Sequence, residues 1–330
     1  MKQLLIKLIE CQKLTFEESR SLMYGIAHNE VNEAQIASIL TAFIIRTISI
    51  EELRGFRQAL IDLAIRVNLN DGYGIDLCGT GGDGKNTFNI STVSSFIVAA
   101  AGYPVIKHGN YGATSVSGSS NVMEFLGYRF SKEENKLQKE LSKTGICFLH
   151  APLFHPALKV VGPIRKQLGV KTFFNMLGPL VNPANPKYQL SGVYSAEVGR
   201  VYSYFLQAEN KNFTVLHSLY GYDEVSLTSP VKLFTQKGET LINFEENGLK
   251  KLDPWQISGG DTVNEAAKIF ISILENQATP EQHSVVMANS ALAISCIDES
   301  KTLDESLSMA HEAIISGKAF GLFKKLILIQ

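Results

Sequence analysis

The chain has 330 residues, of which 45% are hydrophobic and 19% are charged, a composition typical of a globular protein with a sizeable core and unlike that of a disordered chain. The formal net charge is −1 and no block of Lys or Arg stands out, which argues against a nucleic-acid partner. The four cysteines lie far apart without a C-x-x-C pair, a usage that favours the reducing cytoplasm and argues against a cysteine-based metal site.

Residues 1–70 are predicted to form helices only. The apolar N-terminal stretch contains Lys and Glu, so we expect a helix there and not a signal peptide, and no window reaches the length of a membrane span. The segments that begin at Thr15 and Ser49 both have the S/T-x-x-E form of a capping box, which Glu18 and Glu52 complete. Apolar residues recur at helical spacing after Asn32 and after Ser49. These features indicate a small helical bundle.

From residue 75 onward, short strands rich in Val, Ile and Leu alternate with helices. The predicted strands cover residues 75–78, 104–107, 146–149, 190–194 and 213–217, and the predicted helices cover 92–101, 122–126, 132–143 and 197–206. Such alternation predicts a largely parallel sheet with helices on both faces. Ligands of such sheets bind at the carboxyl ends of the strands. Residues 224–243 are predicted to add hairpin strands, and the chain after residue 262 is predicted to be mainly helical.

Residues 155–180 again have a helical pattern, which Pro163 is expected to interrupt. We assign this insert to the helical bundle, so the predicted helical domain is discontinuous and comprises residues 1–71 with 155–182. The second domain then comprises residues 72–154 with 183–330. The predicted fold class is therefore α/β, with a small all-helical domain and a larger domain whose mostly parallel sheet is flanked by helices. We expect a cleft between the two domains.

A glycine-rich loop follows the first predicted strand, with four glycines in the six residues from Gly79 to Gly84. Glycines at this density indicate a backbone with positive φ angles or a close approach to a ligand. Ser91 or Thr92 is predicted to cap the next helix, so that free N–H groups point back toward the loop. Strand, loop and helix start together predict an anion site. The spacing fits neither the dinucleotide nor the P-loop pattern, and an ordinary surface turn remains the alternative.

A second polar loop follows the next predicted strand. It contains Lys107 and Asn110, and the hydroxyls of Ser115 and Ser119 precede a further helix. A lysine there would supply charge for a phosphate, and a helix start would supply N–H groups. The alternative is ordinary helix capping beside a solvated lysine.

Two further features carry charge. Asp223 and Glu224 are adjacent carboxylates just beyond a predicted strand, and Mg²⁺ favours such carboxylates together with phosphate oxygens. Acidic pairs are also common on surfaces, so this pair gains weight only from its predicted place near a polyphosphate. Arg165, on the helical insert, could hold a carboxylate through two parallel hydrogen bonds, or could simply be solvated.

These motifs together resemble the anthranilate phosphoribosyltransferases. The resemblance rests on residues 79–83, 89–92, 107–110, 178–183 and 223–224, which occur in the same order with compatible spacing, and it extends over nearly the whole chain. It implies transfer of a 5-phosphoribosyl group from phosphoribosyl pyrophosphate (PRPP) to the amine of anthranilate, with Mg²⁺ as the cofactor, in tryptophan biosynthesis. It also implies a homodimer. Charge and positioning would carry the catalysis, without a certain catalytic side chain.

The resemblance assigns site residues one by one. Ser91, Asp223 and Glu224 would serve the metal, and Gly79, Asn110 and Arg165 would contact anthranilate. The residues that would bind PRPP are Gly79, Gly82, Asp83, Thr87, Asn89, Ile90, Ser91, Thr92, Lys107, His108, Gly109, Asn110, Ser115 and Ser119. One departure is Tyr111, which stands where many relatives have arginine and cannot supply that charge.

Two other functions stay open at this point. A pyrimidine nucleoside phosphorylase of the related fold would bind free phosphate and a nucleoside, and the lysine loop and acidic pair favour the pyrophosphate donor over it. A non-catalytic relative that binds nucleic acid would need a basic face, for which a net charge of −1 gives no support.

Overall fold

A computed structural model of the protein describes residues 1–112 and 117–330. It divides into two compact units, residues 1–67 with 151–183 and residues 68–150 with 184–330. The first unit is all helical and the second contains the sheet, so the predicted fold class is confirmed. The domain boundaries predicted from the sequence stay a prediction, because compactness does not test whether each part folds by itself.

The helices and strands alternate as the sequence indicates, with small shifts at the ends. In chain order the helices are α1 (Lys2–Ile9), α2 (Phe16–Ala27), α3 (Glu33–Ile45), α4 (Ile50–Asp62), α5 (Ile90–Ala100), α6 (Ser119–Phe125), α7 (Glu134–Thr144), α8 (Ala151–Phe154), α9 (Leu158–Leu168), α10 (Phe174–Leu177), α11 (Ala196–Ala208), α12 (Val263–Leu274), α13 (Pro280–Ile297), α14 (Leu303–Ile315) and α15 (Lys318–Leu328). Short 3₁₀ turns cover Asn70–Gly72, Gly178–Leu180, Phe244–Asn247 and Pro254–Ile257. The strands are β1 (Ile75–Leu77), β2 (Val105–Gly109), β3 (Ile146–His150), β4 (Tyr188–Gly192), β5 (Asn212–Ser218), β6 (Val231–Thr235) and β7 (Gly238–Ile242).

The helical unit begins its helices where the capping residues predict. Both capping boxes form, at Thr15 before α2 and at Ser49 before α4, because each pairs a hydroxyl and a carboxylate with otherwise unbonded N–H groups. The aromatic rings of Phe43, Phe56 and Phe173 meet at centroid distances of 4.7 to 5.5 Å. This cluster joins α3 and α4 to the insert.

Pro163 does not interrupt the insert as expected, because it lies inside α9. A proline removes one hydrogen bond to the carbonyl four residues earlier, here that of Lys159. Both residues are exposed, so water can solvate that carbonyl. The prediction of a break at Pro163 is therefore wrong.

The second unit contains one seven-stranded sheet in the order β3-β2-β1-β4-β5-β6-β7. Strands β1 to β5 are parallel, and β6 and β7 form the predicted antiparallel hairpin. The chain runs outward from β1 through β2 to β3 and then returns to the opposite side of β1 at β4. That reversal makes the carboxyl ends of β1 and β4 the topological switch point, where ligands of such sheets bind.

Helix α5 follows β1 and is buried along almost its whole length. Its residue Phe96 packs against the rings of Phe148, Phe270 and Phe323 at centroid distances of 5.6 to 5.8 Å. Burial of both its apolar and its hydroxyl side chains anchors α5 in the core of the second unit, with its N-terminus at the switch point. Within the described ranges, no helix is long and apolar enough to cross a bilayer.

Candidate functional site

The loop after β1 needs its glycines for two separate reasons. Gly81, Gly82 and Gly84 have φ angles of +62°, +73° and +74°, a region that other residues adopt only with strain. Gly79 is required for space instead, since a Cβ there would lie 2.8 Å from Oδ2 of Asp223. The predicted backbone conformation of this loop is therefore present.

The start of α5 differs from the prediction. The helix begins at Ile90 after Asn89, so Ser91 and Thr92 lie inside its first turn and do not cap it. The side-chain amide of Asn89 donates to the carbonyl of Ser117 at 3.1 Å and gives no cap. The Ser91 N–H donates instead to Oε1 of Glu224 at 2.9 Å. A carboxylate from a distant loop thus caps the helix, which the helix dipole favours.

The acidic pair converges with the glycine loop. Oδ2 of Asp223 accepts the Gly81 N–H at 2.7 Å, and the Asp223 N–H donates to Oδ2 of Asp83 at 3.5 Å. Thr87 donates its hydroxyl to Oε2 of Glu224 at 3.5 Å. The loops after β1 and β5 therefore bring three carboxylates to the N-terminus of α5.

The electrostatics of this cluster fit a divalent cation. Burial, and secondly the charge of Asp83, raise the pKa of Asp223 to about 7. Burial and the charge of Asp223 raise the pKa of Glu224 well above its ordinary value. Carboxylates that repel each other in a poorly solvated place gain most from a hard cation between them, and Mg²⁺ binds through such oxygens. The donor set of Ser91, Asp223 and Glu224 consists only of oxygens and fits this ion.

Lys107 lies deeper than the sequence suggests. Its side chain is 2% exposed, and its ammonium donates to the carbonyl of Leu77 and, at 3.3 Å, to the hydroxyl of Ser91. Burial lowers the pKa of Lys107, against the opposing effect of neighbouring acidic groups such as Glu224. Lys107 thus supplies positive charge from beneath Ser91. His108 is also buried, and its backbone N–H donates to Oδ1 of Asp76 at 3.0 Å.

The described residues of the loop after β2 pack tightly against the start of α6. The Ser119 hydroxyl donates to the carbonyl of Asn110 at 3.3 Å, and a Cβ on Gly109 would lie 2.5 Å from that hydroxyl oxygen. Asn121 accepts the N–H groups of Gly112 and Gly118 at 2.9 and 3.0 Å. The predicted site residue Ser115 lies outside the described residues.

Tyr111 has contacts that the sequence does not reveal. Its hydroxyl donates to Oε2 of Glu124 at 3.2 Å, and its ring meets that of His150 edge-on at 4.7 Å. His150 in turn shares a 2.8 Å hydrogen bond with Ser120. Tyr111 is therefore held by an aromatic and an acidic neighbour.

Arg165 belongs to the helical unit and lies in the last turn of α9. Its Nη2 donates to Oδ1 of Asn175 at 3.2 Å, and its guanidinium lies 5.6 Å from the ring centre of Phe174. Burial lowers its pKa. These contacts hold the guanidinium in one orientation, which favours recognition of a planar anion.

Two features of the site have little signal in the sequence. A Cβ on Gly192, the last residue of β4, would lie 1.4 Å from the Asp223 carbonyl oxygen, so only glycine allows the acidic loop to cross this strand. The segment that follows the Pro254–Ile257 turn pairs with the glycine loop, through Gly259 N–H to Asn86 O at 2.7 Å. A glycine at the end of a strand was the only available clue to the first feature.

The class of protein is given by two family models, both of glycosyl transferases. Residues 2–64 match the glycosyl transferase family helical bundle domain, and residues 72–320 match the glycosyl transferase family a/b domain.

Individual relatives within this class all have the same enzyme name. The anthranilate phosphoribosyltransferase of Flavobacterium johnsoniae is 50% identical over 326 residues, which are 99% of this chain and 98% of that protein. The crystal structure of the Thermus thermophilus enzyme of the same name has a TM-score of 0.92 at 30% identity, over 99% of this chain and 98% of that one. The Saccharomyces cerevisiae enzyme, in complex with PRPP and Mg, has a TM-score of 0.90 at 25% identity, over 99% and 96%. The chain belongs to the anthranilate phosphoribosyltransferase family.

Proposed function

We propose that the chain transfers the 5-phosphoribosyl group of PRPP to the amino group of anthranilate and releases pyrophosphate, as a step of tryptophan biosynthesis. The observation that carries this proposal is the convergence of Gly81, Ser91, Asp223 and Glu224 at the carboxyl ends of the strands. The family relationship supports the same reaction, since the relatives over the full chain have this activity in their names.

The donor would bind where backbone N–H groups and the end of α5 meet. In this structure the carboxylates of Asp223 and Glu224 accept the N–H groups of Gly81 and Ser91, so these donors already point toward bound anionic oxygens. A phosphate can use such donors in the same way. The proposed PRPP residues are Gly79, Gly82, Asp83, Thr87, Asn89, Ile90, Ser91, Thr92, Lys107, His108, Gly109, Asn110, Ser115 and Ser119.

Several of these residues would act indirectly. Thr92 and Lys107 are 1% and 2% exposed, so their contribution is to hold the first turn of α5 and to place positive charge under it. Because the Lys107 ammonium donates to the Ser91 hydroxyl, one lone pair of that oxygen faces the lysine and the second is left for a metal ion. Ser91, Asp223 and Glu224 would hold Mg²⁺, whose chemical contribution is to neutralise charge on the pyrophosphate leaving group.

The acceptor would be positioned by Gly79, Asn110 and Arg165. The guanidinium of Arg165 suits the carboxylate of anthranilate, and its contacts with Asn175 and Phe174 fix its direction. An arylamine is neutral at pH 7, so the reaction needs no strong general base. Holding the amine in line with the ribose carbon can contribute roughly 7 to 11 kcal/mol in well-oriented systems. We therefore assign catalysis to charge and positioning.

The decisive experiment follows anthranilate fluorescence after the chain is mixed with PRPP and Mg²⁺. We expect the signal to fall with time, and full persistence of anthranilate would refute the proposed reaction.

A second experiment tests the metal ligands. Asp223→Asn combined with Glu224→Gln should raise the Mg²⁺ requirement or abolish turnover, because the two ligand charges are lost. Glu245→Gln with Glu246→Gln is the matched control, since it neutralises an adjacent but exposed pair. A normal Mg²⁺ titration of the first variant would contradict the metal assignment.

We also propose that the protein is a homodimer that associates through the helical unit. Ile9 and Ile45 are 66% and 78% exposed at the ends of α1 and α3, two helices that pack together. Large apolar side chains exposed on neighbouring helices are candidates for an association surface, and a twofold axis would cover the same residues on both copies. In sedimentation experiments Ile9→Glu with Ile45→Glu should yield monomers, whereas Leu328→Glu, at a separate exposed position, should not. A monomeric unmodified chain would refute the dimer.

The location that fits this function is the cytoplasm. All four cysteines are free, a state that reducing compartments maintain. Recovery of the protein outside the cytoplasmic fraction of lysed cells would refute this assignment.

We further propose that the two compact units correspond to the two functional domains. Expression of residues 68–330 without the insert would test whether the sheet unit folds alone.

A further inference from the structure

The loop that carries Asp223 and Glu224 is buried and almost free of regular structure. Ser226 and Thr228 are 0% and 1% exposed, and Leu227 has a φ angle of +58°. A side chain with a positive φ costs free energy and persists only where surrounding contacts impose it. Backbone N–H and C=O groups in such a place must also find partners. The contacts that satisfy this loop therefore determine where its carboxylates point.

Asn289 supplies the backbone partners for the residue that directly follows the acidic pair. Its Oδ1 accepts the Val225 N–H at 3.0 Å, and its Nδ2 donates to the Val225 carbonyl at 2.9 Å. The same Nδ2 donates to the carbonyl of Val285 at 2.8 Å. One side-chain amide thus bonds both polar groups of Val225 and is itself held by its own helix. Asn289 is 3% exposed, so water cannot easily replace it.

The helix that carries Asn289 also contacts the rest of the site. Helix α13 packs against α5, β4 and β5, and Glu224 caps the N-terminus of α5. Asparagine is a poor residue for a buried helix interior, because its amide competes with the helix backbone. Its presence in the middle of α13 is explained by the two bonds to Val225. The amide therefore links the acidic loop to the same core that holds α5.

We propose that Asn289 is a positioning residue for the metal and the PRPP donor, acting through Val225 on the direction of Glu224 and Asp223. This inference rests on the proposed function, because it requires that the acidic pair serves Mg²⁺. Its specific consequence is that loss of the amide affects donor and metal binding more than acceptor binding. A merely structural asparagine would affect both substrates and the fold alike.

The test replaces Asn289 by Leu, which has a similar volume and no hydrogen-bonding group. Calorimetric titration of PRPP in the presence of Mg²⁺ and without anthranilate measures donor binding without turnover. We expect the dissociation constant of PRPP to rise about tenfold, the effect of leaving buried polar groups unpaired near a binding site. The KM for anthranilate should stay within about twofold, as for residues that do not contact a ligand.

Two further variants complete the experiment. Ser290→Ala is the matched control, because Ser290 is fully buried next to Asn289 and its hydroxyl has no hydrogen-bond partner among the described residues, so PRPP binding should not change. Asn289→Asp keeps the oxygen that accepts the Val225 N–H but turns a second oxygen toward the carbonyls of Val225 and Val285, which repel it, so PRPP binding should weaken at least as much as in the Leu variant. It decides the question if the Leu variant does not fold.

Specific outcomes would overturn the inference. Unchanged PRPP binding in both Asn289 variants would do so, and so would equal weakening of PRPP and anthranilate. An equal effect of Ser290→Ala would show a general disturbance of α13. If PRPP and Mg²⁺ binding also survive Asp223→Asn with Glu224→Gln, the metal assignment itself is wrong and the inference is lost with it. If only the Asn289 variants bind normally, the proposed function stands and the positioning role alone is refuted.

Discussion

Replacing Glu52 by Gln measures how far the helical unit depends on one buried carboxylate. Glu52 is fully buried and accepts the N–H groups of Leu14 and Ser49, each at 2.8 Å. It also forms an ion pair with Arg46, whose side chain is 11% exposed. Burial by itself would raise the pKa of Glu52, but the hydrogen bonds from Arg46, Leu14 and Ser49 outweigh it and lower the pKa.

The expected loss follows from these contacts. Removing one partner of a buried ion pair costs about 3 to 5 kcal/mol, because the other charge is left uncompensated. Glutamine keeps one carbonyl oxygen for an N–H group, so we expect a loss at the lower end, about 3 kcal/mol in the free energy of unfolding. Since the folded pKa is lowered, the carboxylate stabilises the fold fully above the unfolded pKa of about 4.3. That stabilisation is lost as the pH falls through the folded pKa. The free energy of unfolding of the variant should lack the part of the pH dependence that Glu52 contributes.

Glu18→Gln is the matched control, because Glu18 occupies the same capping-box position in α2. Its side chain is 26% exposed and that of its partner Lys7 is 40% exposed, so its loss should cost at most about 1 kcal/mol. Hydrogen exchange of the α2 and α4 amides in increasing urea reports this unit separately from the rest of the chain. Equal losses in the two variants would show that burial of Glu52 does not decide its contribution.

Two further predictions concern the site. Gly192→Ala should abolish activity, because the new Cβ would lie 1.4 Å from the carbonyl oxygen of Asp223 and displace the acidic loop. Gly321→Ala should leave the rate unchanged, because beyond its own helix no described atom lies within 4 Å of the added Cβ. A fully active Gly192 variant would refute this geometry. Arg165→Ala should raise the KM for anthranilate about tenfold or more, as expected for loss of a charged hydrogen bond. Lys166→Ala is the control, because Lys166 is an exposed neighbour. Unchanged kinetics at limiting anthranilate would contradict the role assigned to Arg165.

Local sequence patterns predicted the elements well. A capping box needs only residues within one helical turn, so Thr15 and Ser49 mark the starts of α2 and α4. The positive φ angles of Gly81, Gly82 and Gly84 likewise reflect a property of those residues alone. The break expected at Pro163 was wrong, because solvent around an exposed carbonyl lets the helix continue.

Local sequence patterns did not predict the order of the strands. The contacts across the site depend on that order, so they could not be predicted either. Ser91 and Thr92 had the right side chains to cap α5, yet the cap is Glu224, which lies 133 residues away in the sequence. The depth of Lys107 and the need for Gly192 depend on the same placement. The roles proposed for individual ligand-binding residues stay predictions.

The sequence by itself determined the helix starts, the alternation of strands and helices, and the residue types that gather at the carboxyl ends of the strands, because these depend on neighbours a few positions apart. Only the tertiary structure decided which of two equivalent capping glutamates is buried, which carboxylate closes α5, and which asparagine holds the acidic loop. Those outcomes depend on hydrogen bonds and burial between residues far apart in the chain, which exist only after the sheet and its helices have packed.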